Sequence, residues 1–154
     1  MAIIIEAVNE VYSLQNQRNI KLFLAGGITN CPPWQNELIE LIKGSDILTV
    51  YNPRRANFPI NDPNASEEQI TWEHNHMESA DMISFWFSKG SLNPIVLYEL
   101  GRWTNSSNKT IFIGIDPGYE RTQDVIIQTK LSRPDVRIVY SLFDLATQIL
   151  QSVD

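Results

Sequence analysis

Residues 82–115 read MISFWFSKGSLNPIVLYELGRWTNSSNKTIFIGI. The stretch begins with a short run of apolar and aromatic residues, Met82 to Phe87, and ends with a second one, Thr110 to Ile115. Short runs of this composition, bounded by polar turn residues, are typical of buried strands. Between them, Pro94 to Asn105 has helical spacing, and Pro94 suits a first helical turn because its missing N–H would be unpaired there. The stretch therefore predicts a strand, a crossover helix and a second strand.

The same alternation extends in both directions along the chain. Further strands are predicted at Ile20 to Ala25, Ile47 to Tyr51 and Val136 to Tyr140, and further helices at about Pro33 to Lys43, Ser66 to Ser79, Arg121 to Leu131 and Leu142 to Ser152. Such alternation implies right-handed crossovers and a mainly parallel sheet covered on both faces. We predict one α/β domain over residues 1–154, a Rossmann-like or flavodoxin-like three-layer sandwich with five strands. Residues 1–18 stand outside the pattern, and Ile3 to Ala7 with Val11 to Leu14 predict a hairpin at the sheet edge.

Length, charge and cysteine content narrow the class of protein. A chain of 154 residues can bury one core without disulfides or a structural metal. Its net charge of −6 argues against polymeric nucleic acid as a partner, because phosphate backbones require a clustered basic face. The single cysteine, Cys31, has no intramolecular partner, and the apolar start at Ala2 to Ile5 has no basic leader. We therefore predict a cytoplasmic protein that neither spans nor binds a membrane.

The loops that follow the strands carry the first candidate residues, because parallel sheets bind ligands at the carboxyl ends of their strands. Gly26 and Gly27 follow the first predicted strand and are equally compatible with a close backbone approach to a ligand and with a plain turn. They lack the G-x-G-x-x-G spacing of a dinucleotide site. Arg54 and Arg55 follow the second predicted strand. Each can hold a phosphate or carboxylate, or fix the long loop from Ala56 to Ala65.

Two glutamates are candidates for catalysis. Glu99 lies among apolar residues of the predicted helix from Pro94 to Asn105, where a buried carboxylate needs a partner. An ion pair with Arg102 is the structural explanation, and a catalytic role is the functional one. Glu73, on the preceding helix, is either solvated or faces Glu99. A pair of carboxyl groups can divide the acid and nucleophile roles at a glycosidic bond.

Aromatic residues are numerous for one small domain, with four tryptophans in the chain. Most should belong to the core, but one can stack on a nucleobase, and we assign Trp72 to substrate binding. His74 and His76 are two residues apart, so on a helix they diverge and form a poor metal pair. No metal and no cofactor is therefore expected. Cys31 has no matching catalytic histidine and is treated as structural.

Four segments together resemble the nucleoside 2-deoxyribosyltransferase family, particularly its transferase-like branch. They are Phe23-Leu24-Ala25-Gly26-Gly27, Tyr51-Asn52-Pro53-Arg54-Arg55, Ala80-Asp81-Met82-Ile83 and Tyr98-Glu99-Leu100-Gly101. The last segment is the most specific, and the resemblance extends from Leu22 to about Gln128. It implies a homo-oligomeric enzyme that acts on small-molecule nucleosides and nucleobases.

The resemblance also implies roles for the two glutamates. Glu99 corresponds to the nucleophile that attacks the anomeric carbon and carries the deoxyribose as a covalent intermediate. Glu73 corresponds to the acidic group that manages protonation of the leaving base. The loop from Asp116 to Arg121 and the following Asp124 resemble a segment that a neighbouring subunit contributes to the site.

Two other positions depart from the family pattern, while Gly26 and Gly27 match it as substrate-binding residues. Asn93 stands where many members have an aspartate that binds the sugar hydroxyls, and an amide can still form such a hydrogen bond. Phe23 stands where many members have a tyrosine that orients the nucleophile. A phenylalanine has no polar atom, so Glu99 must be positioned by other groups.

Three functions remain open from the sequence. The first is a transferase that exchanges the base of a 2′-deoxynucleoside through Glu99. The second is an N-glycosidase of nucleosides or nucleoside 5′-monophosphates, in which Arg54, Arg55 or Ser88 would hold the phosphate and water would complete the reaction. The third is a non-catalytic nucleotide-binding module, since a fold does not fix a function.

Overall fold

A computed structural model describes residues 1–10 and 19–154 of the chain. These residues form strands Ile3–Glu6 (β1), Ile20–Gly26 (β2), Leu48–Asn52 (β3), Met82–Phe87 (β4), Thr110–Ile115 (β5) and Ile138–Val139 (β6). The helices are Trp34–Ile42 (α1), Ala65–Ser79 (α2), Pro94–Thr104 (α3), Thr122–Ser132 (α4) and Leu142–Val153 (α5). The strands and helices predicted from Ile20 onward are therefore present, with ends shifted by one or two residues, as is usual for boundaries set by fraying turns.

The strands form one sheet with the order β1-β3-β2-β4-β5-β6, and all neighbours pair in parallel. The α/β class with a parallel sheet is thus as predicted, but the prediction of five strands is wrong. Residues 3–6 add a sixth strand, in register from Ile3 opposite Thr49 to Glu6 opposite Asn52. The second arm of the predicted hairpin, Val11 to Leu14, lies outside the described residues.

The helices cover both faces of the sheet, as the alternation of side chains along each strand requires. Leu22 and Leu24 of β2 pack with α1 and α5, whereas Phe23 and Ala25 face α2 and α3. The central strand β4 is buried along its whole length. Among the described residues, no helix is long and apolar enough to cross a membrane.

The sheet has its topological switch point between β2 and β4. From β2 the chain proceeds to β3 on one side, then crosses over to β4 on the other. The loops that leave β2 and β4 consequently separate at their carboxyl ends and leave a crevice, which is where sheets of this kind bind ligands. The topology therefore predicts a ligand site beside residues 26–33 and 88–93.

Gly26, the last residue of β2, is required by close packing. A Cβ atom at this position would lie 2.2 Å from Cζ2 of Trp34 and 2.8 Å from the carbonyl oxygen of Trp86. Trp34 is fully enclosed at the start of α1, and its indole Nε1 donates to the carbonyl oxygen of Gly27 at 2.9 Å. The absent side chain at Gly26 therefore lets α1 close over the end of β2.

Replacing Gly26 with alanine should lower stability by about 1–3 kcal/mol, because neither a buried tryptophan nor a backbone carbonyl can move freely away. Gly101→Ala is the matched control: no atom lies within 4 Å of its Cβ position, and it sits inside α3. That control should gain roughly 0.5–1 kcal/mol from helix propensity. Urea unfolding measures both, and equal effects of the two substitutions would contradict the packing argument.

Candidate active site

A cavity of about 460 Å³ lies at the switch point, beside the loops that leave β2 and β4. Its walls come from β2 and the loop after it, from α2, and from the loop and helix that follow β4. The lining residues are Phe23, Ala25, Gly26, Gly27, Ile28, Thr29, Asn30, Pro53, Ile70, Glu73, Ser91, Asn93, Pro94, Ile95, Val96 and Glu99. Its volume suits a small organic ligand.

The two candidate glutamates share this cavity although they come from different helices. Glu99 is on the second turn of α3, directly behind the loop that leaves β4, and Glu73 is in the middle of α2. Both side chains are half-buried. The sequence left open whether Glu73 is solvated or faces Glu99. In the structure it lines the same cavity as Glu99.

Glu73 is held in place by Gln69, one helical turn earlier. The amide Nε2 of Gln69 donates to Oε1 of Glu73 at 2.9 Å and to the carbonyl oxygen of Pro53 at 2.8 Å. Pro53 follows β3, so this amide ties α2 to the end of the sheet. The sequence did not assign Gln69 to the site, although its spacing of four from Glu73 was an available signal.

Burial and mutual repulsion change the acidity of the pair. Burial, together with the negative charge of Glu73, raises the pKa of Glu99 to about 8, and the positive charge of Arg102 opposes this rise. Burial also raises the pKa of Glu73, and the hydrogen bond from Gln69 opposes that shift. Two neighbouring carboxyl groups with raised pKa values retain a proton near neutral pH. Glu99 therefore holds a proton near neutral pH.

Asn93 forms part of the cavity wall in a conformation that restricts what its amide can bind. It has a left-handed backbone with φ 52°, and its Nδ2 donates to the carbonyl oxygens of Ser88 and Ser91 at 3.0 and 3.1 Å. Both amide protons are thus engaged. The oxygen Oδ1 accepts a long hydrogen bond from the thiol of Cys31 at 3.6 Å and retains a lone pair for a hydroxyl donor.

Gly27 brings the two loops together at this point. A Cβ atom on Gly27 would lie 2.1 Å from Oδ1 of Asn93 and 2.4 Å from the sulfur of Cys31. The residue therefore allows the loop after β2 to contact the loop after β4. Phe23 lies below it, buried at the cavity floor with its ring 6.1 Å from that of Trp72.

The two arginines after β3 lie outside the cavity. Arg54 Nε donates to Oε1 of Gln35 at 2.8 Å, and its Nη2 donates to the carbonyl oxygens of Ile28, Cys31 and Pro32. Arg54 thereby fixes the loop after β2. Arg55 stacks on Phe58 and lies 4.0 Å from Glu68, and its buried Nε and Nη2 have no hydrogen-bond partner among the described residues. Neither side chain lines the cavity.

Two further predicted residues also lie away from the cavity. Trp72 is buried between Phe23, Tyr51 and His76, and its Nε1 donates to the carbonyl oxygen of Asn9 at 3.0 Å. Asp124 is exposed on the first turn of α4, where it pairs with Arg121 at 3.2 Å. It lies in a different groove, between α3 and α4.

The charge and shape of the cavity define what it can accept. In the part of the chain that the structure describes, no lysine, arginine or histidine lines it. Its apolar walls include Ile70 and Ile95, which are each 65% exposed, and sequence reasoning missed both because apolar residues of helices are ordinarily assigned to the core. Over residues 1–10 and 19–154, no cluster of metal-binding side chains occurs. The arrangement fits a neutral, partly apolar ligand beside a carboxyl pair.

The sequence and the fold both have counterparts among known proteins. A family described as nucleoside 2-deoxyribosyltransferase like matches residues 19–119. Among solved structures, a conserved protein from Enterococcus faecalis V583 has a TM-score of 0.66, and the match covers 87% of this chain and 99% of that one. Its sequence identity of 17% makes it evidence for the three-layer fold alone. None of the curated proteins matches the sequence significantly.

The raised pKa of Glu99 makes the stability of the protein depend on pH. In the unfolded chain the carboxyl has its ordinary pKa of 4.5, and in the folded protein its pKa is about 8. The folded state therefore holds this proton more tightly, so the stabilisation is complete below about pH 4.5 and is lost as the pH rises through about 8. Glu99→Gln, which cannot ionise, should match the wild type at about pH 4 and melt roughly 2–8 °C higher at about pH 9.

The matched control is Glu37→Gln, which neutralises an exposed glutamate on α1. Melting temperatures over the pH range, followed by circular dichroism, separate the two variants. A difference between Glu99→Gln and the wild type that stays constant with pH would show that Glu99 is not buried in its charged form.

Proposed function

Because the chain belongs to the nucleoside 2-deoxyribosyltransferase-like family, we propose that it exchanges the nucleobase of a 2′-deoxynucleoside through a covalent deoxyribosyl intermediate on Glu99. The observation that carries this proposal is the carboxyl pair in one cavity at the sheet's switch point. A reaction at a glycosidic bond requires a nucleophile and an acid on the same substrate, and these two residues provide both.

The reaction uses the single proton of the pair. With the proton on Glu73 and the charge on Glu99, Glu73 donates to a ring nitrogen of the base as the bond from C1′ to the base breaks and its electron pair moves to the base. A carboxylate oxygen of Glu99 forms the new bond to C1′. In the second half, another base attacks C1′, loses its proton to Glu73 and releases Glu99 as a carboxylate.

In the protein without substrate, burial and the charge of Glu73 raise the pKa of Glu99 to about 8, and the positive charge of Arg102 opposes this rise. The reaction therefore requires the bound base to redistribute the proton. A ring nitrogen that accepts a hydrogen bond from Glu73 favours the neutral form of Glu73, so substrate binding moves the proton from Glu99 to Glu73. The neutral acid then faces the leaving group while the nucleophile is charged.

The cavity walls support a nucleoside over a nucleotide as substrate. The apolar side chains of Ile70, Ile95 and Val96 offer a surface for the flat face of a base, and Oδ1 of Asn93 offers an acceptor for a sugar hydroxyl. A 5′-phosphate would meet two carboxyl groups and, among the described lining residues, no cation. Arg54 is engaged elsewhere and Arg55 does not line the cavity, which speaks against the nucleotide N-glycosidase that the sequence left open.

We also propose that the protein is a homo-oligomer in which a second copy covers the mouth of the cavity. Ile70 and Ile95, on α2 and α3, are exposed at the cavity, and Tyr98 on the next turn of α3 is 77% exposed. Apolar patches around a binding site are typical of surfaces that another chain covers.

Incubation with a 2′-deoxynucleoside and a second free base should yield a new deoxynucleoside, followed by chromatography. Glu99→Gln should slow this exchange by at least about a thousandfold, because an amide cannot serve as the nucleophile. Glu37→Gln makes the same change at an exposed position on α1 and serves as the matched control. Free sugar formed with or without the second base would identify a hydrolase, and exchange at full rate by Glu99→Gln would exclude the proposed intermediate.

The same assay tests the proposed role of Glu73 as the proton donor. Glu73→Gln should slow turnover of substrates with poorly leaving bases more than turnover of substrates whose base leaves readily without protonation. Equal slowing for both classes would contradict the role of Glu73 as proton donor.

Light scattering should find an assembly larger than one chain, and Tyr98→Glu should reduce its mass, because a charge in a buried interface is unfavourable. Phe143→Glu is the matched control, an exposed aromatic on α5 in the opposite layer. A monomeric wild type across the concentrations measured would contradict the proposed oligomer.

A further inference from the structure

Arg102 joins the two helices that carry the carboxyl pair. Its guanidinium donates from Nη2 to Oε1 of Glu78, and its Nη1 lies 3.0 Å from Nδ1 of His74. Both partners are on α2, whereas Arg102 is on α3. A planar guanidinium that reaches two groups on a neighbouring helix fixes orientation as well as distance.

The same junction includes a tryptophan flanked by two cations. The ring of Trp103 has the guanidinium of Arg102 at 4.6 Å and the ammonium of Lys109 at 4.8 Å from its centroid. Lys109 is buried and donates to the carbonyl oxygens of Glu78 and Ala80, where α2 ends. The end of α2 is thus attached both to α3 and to the residue that precedes β5.

The junction lies close to the carboxyl pair along both helices. Arg102 is three residues after Glu99, and Glu78 is five residues after Glu73. A rotation or shift at the junction would consequently change the separation of the two carboxyl groups. The electrostatics are consistent with this proximity, because the charge of Glu73 raises the pKa of Glu99 and the charge of Arg102 lowers it.

We propose that Arg102 is a positioning residue for the carboxyl pair, which binds Glu78 and His74 so that α3 presents Glu99 to the same cavity as Glu73. The inference rests on the proposed function in that the pair is taken as the reactive centre. Arg102 itself does not line the cavity and so acts through the glutamates.

A purely structural ion pair would have a different signature. Arg102 and Glu78 are partly exposed, with 35% and 53% of their side chains accessible, and pairs of this kind contribute only about 0–1 kcal/mol to folding. Loss of Arg102 should therefore leave the fold intact. Its effect should fall on the geometry of the site.

The first experiment measures turnover. Arg102→Gln and Glu78→Gln should each lower kcat by roughly tenfold to a hundredfold with KM nearly unchanged, and the double variant should be no worse than the single ones. Lys43→Gln, which breaks a comparable ion pair to Glu40 on α1, is the matched control. Arg102→Gln with the kcat of the control would overturn the proposal, as would additive losses in the double variant.

The second experiment requires no catalysis. Carbon-13 NMR follows the titration of the Glu99 carboxyl in the protein without substrate. Glu73→Gln should lower the midpoint of Glu99, because a neighbouring negative charge is removed, and in the Arg102→Gln background this change should shrink to less than half as the groups separate. The full change in that background would overturn the positioning role.

The two measurements also separate this inference from the proposed function. If the wild type exchanges no base but the NMR coupling depends on Arg102, the positioning role stands and the proposed reaction fails. If exchange occurs and the coupling is indifferent to Arg102, the reaction stands and the positioning role fails.

Discussion

Two carboxyl groups in one half-buried cavity impose the constraint on which the other features depend. Burial raises the pKa of both Glu73 and Glu99, and the charge of Glu73 raises that of Glu99 further, so the pair retains a proton near neutral pH. As the pH rises, such a pair lowers the stability of the folded protein. Folding stability therefore gives no reason for placing the pair at the switch point of the sheet. The proposed chemistry supplies a reason, because it requires an acid and a nucleophile at the same bond.

The architecture around the cavity holds the pair in place without supplying a cation to it. Gln69 ties Glu73 to the end of β3, and Gly27 lets the two loops meet beside Asn93. Arg54 donates its hydrogen bonds to the loop after β2 and to Gln35 on α1. Among the residues that the structure describes, the walls are therefore uncharged apart from the two glutamates. A neutral nucleoside suits such walls better than an anion does.

Much of the fold could be predicted because buried parallel strands are continuous apolar runs, of which Met82–Phe87 is the clearest. The segment Ile3–Glu6 was predicted as an arm of an edge hairpin and left out of the five strands, because it is short, ends in a charge and gains its parallel partner, β3, only through the tertiary fold. Glu99 could be singled out since a carboxylate in an apolar helix is unfavourable without a reason. Arg54 could not be placed, because its partners are mainly backbone carbonyls, which leave no signal in the side-chain sequence. The roles of the site residues remain predictions that the fold alone does not test.

Peptide mass mapping can detect the proposed covalent intermediate on Glu99. The protein is mixed with a 2′-deoxynucleoside without an acceptor base, quenched with acid and digested. We expect a deoxyribosyl group on the peptide that contains Glu99, absent when the free base is added in excess and absent in Glu99→Gln. Release of base with the Glu99 peptide unmodified at every quench time, or a deoxyribosyl group on another residue, would contradict it.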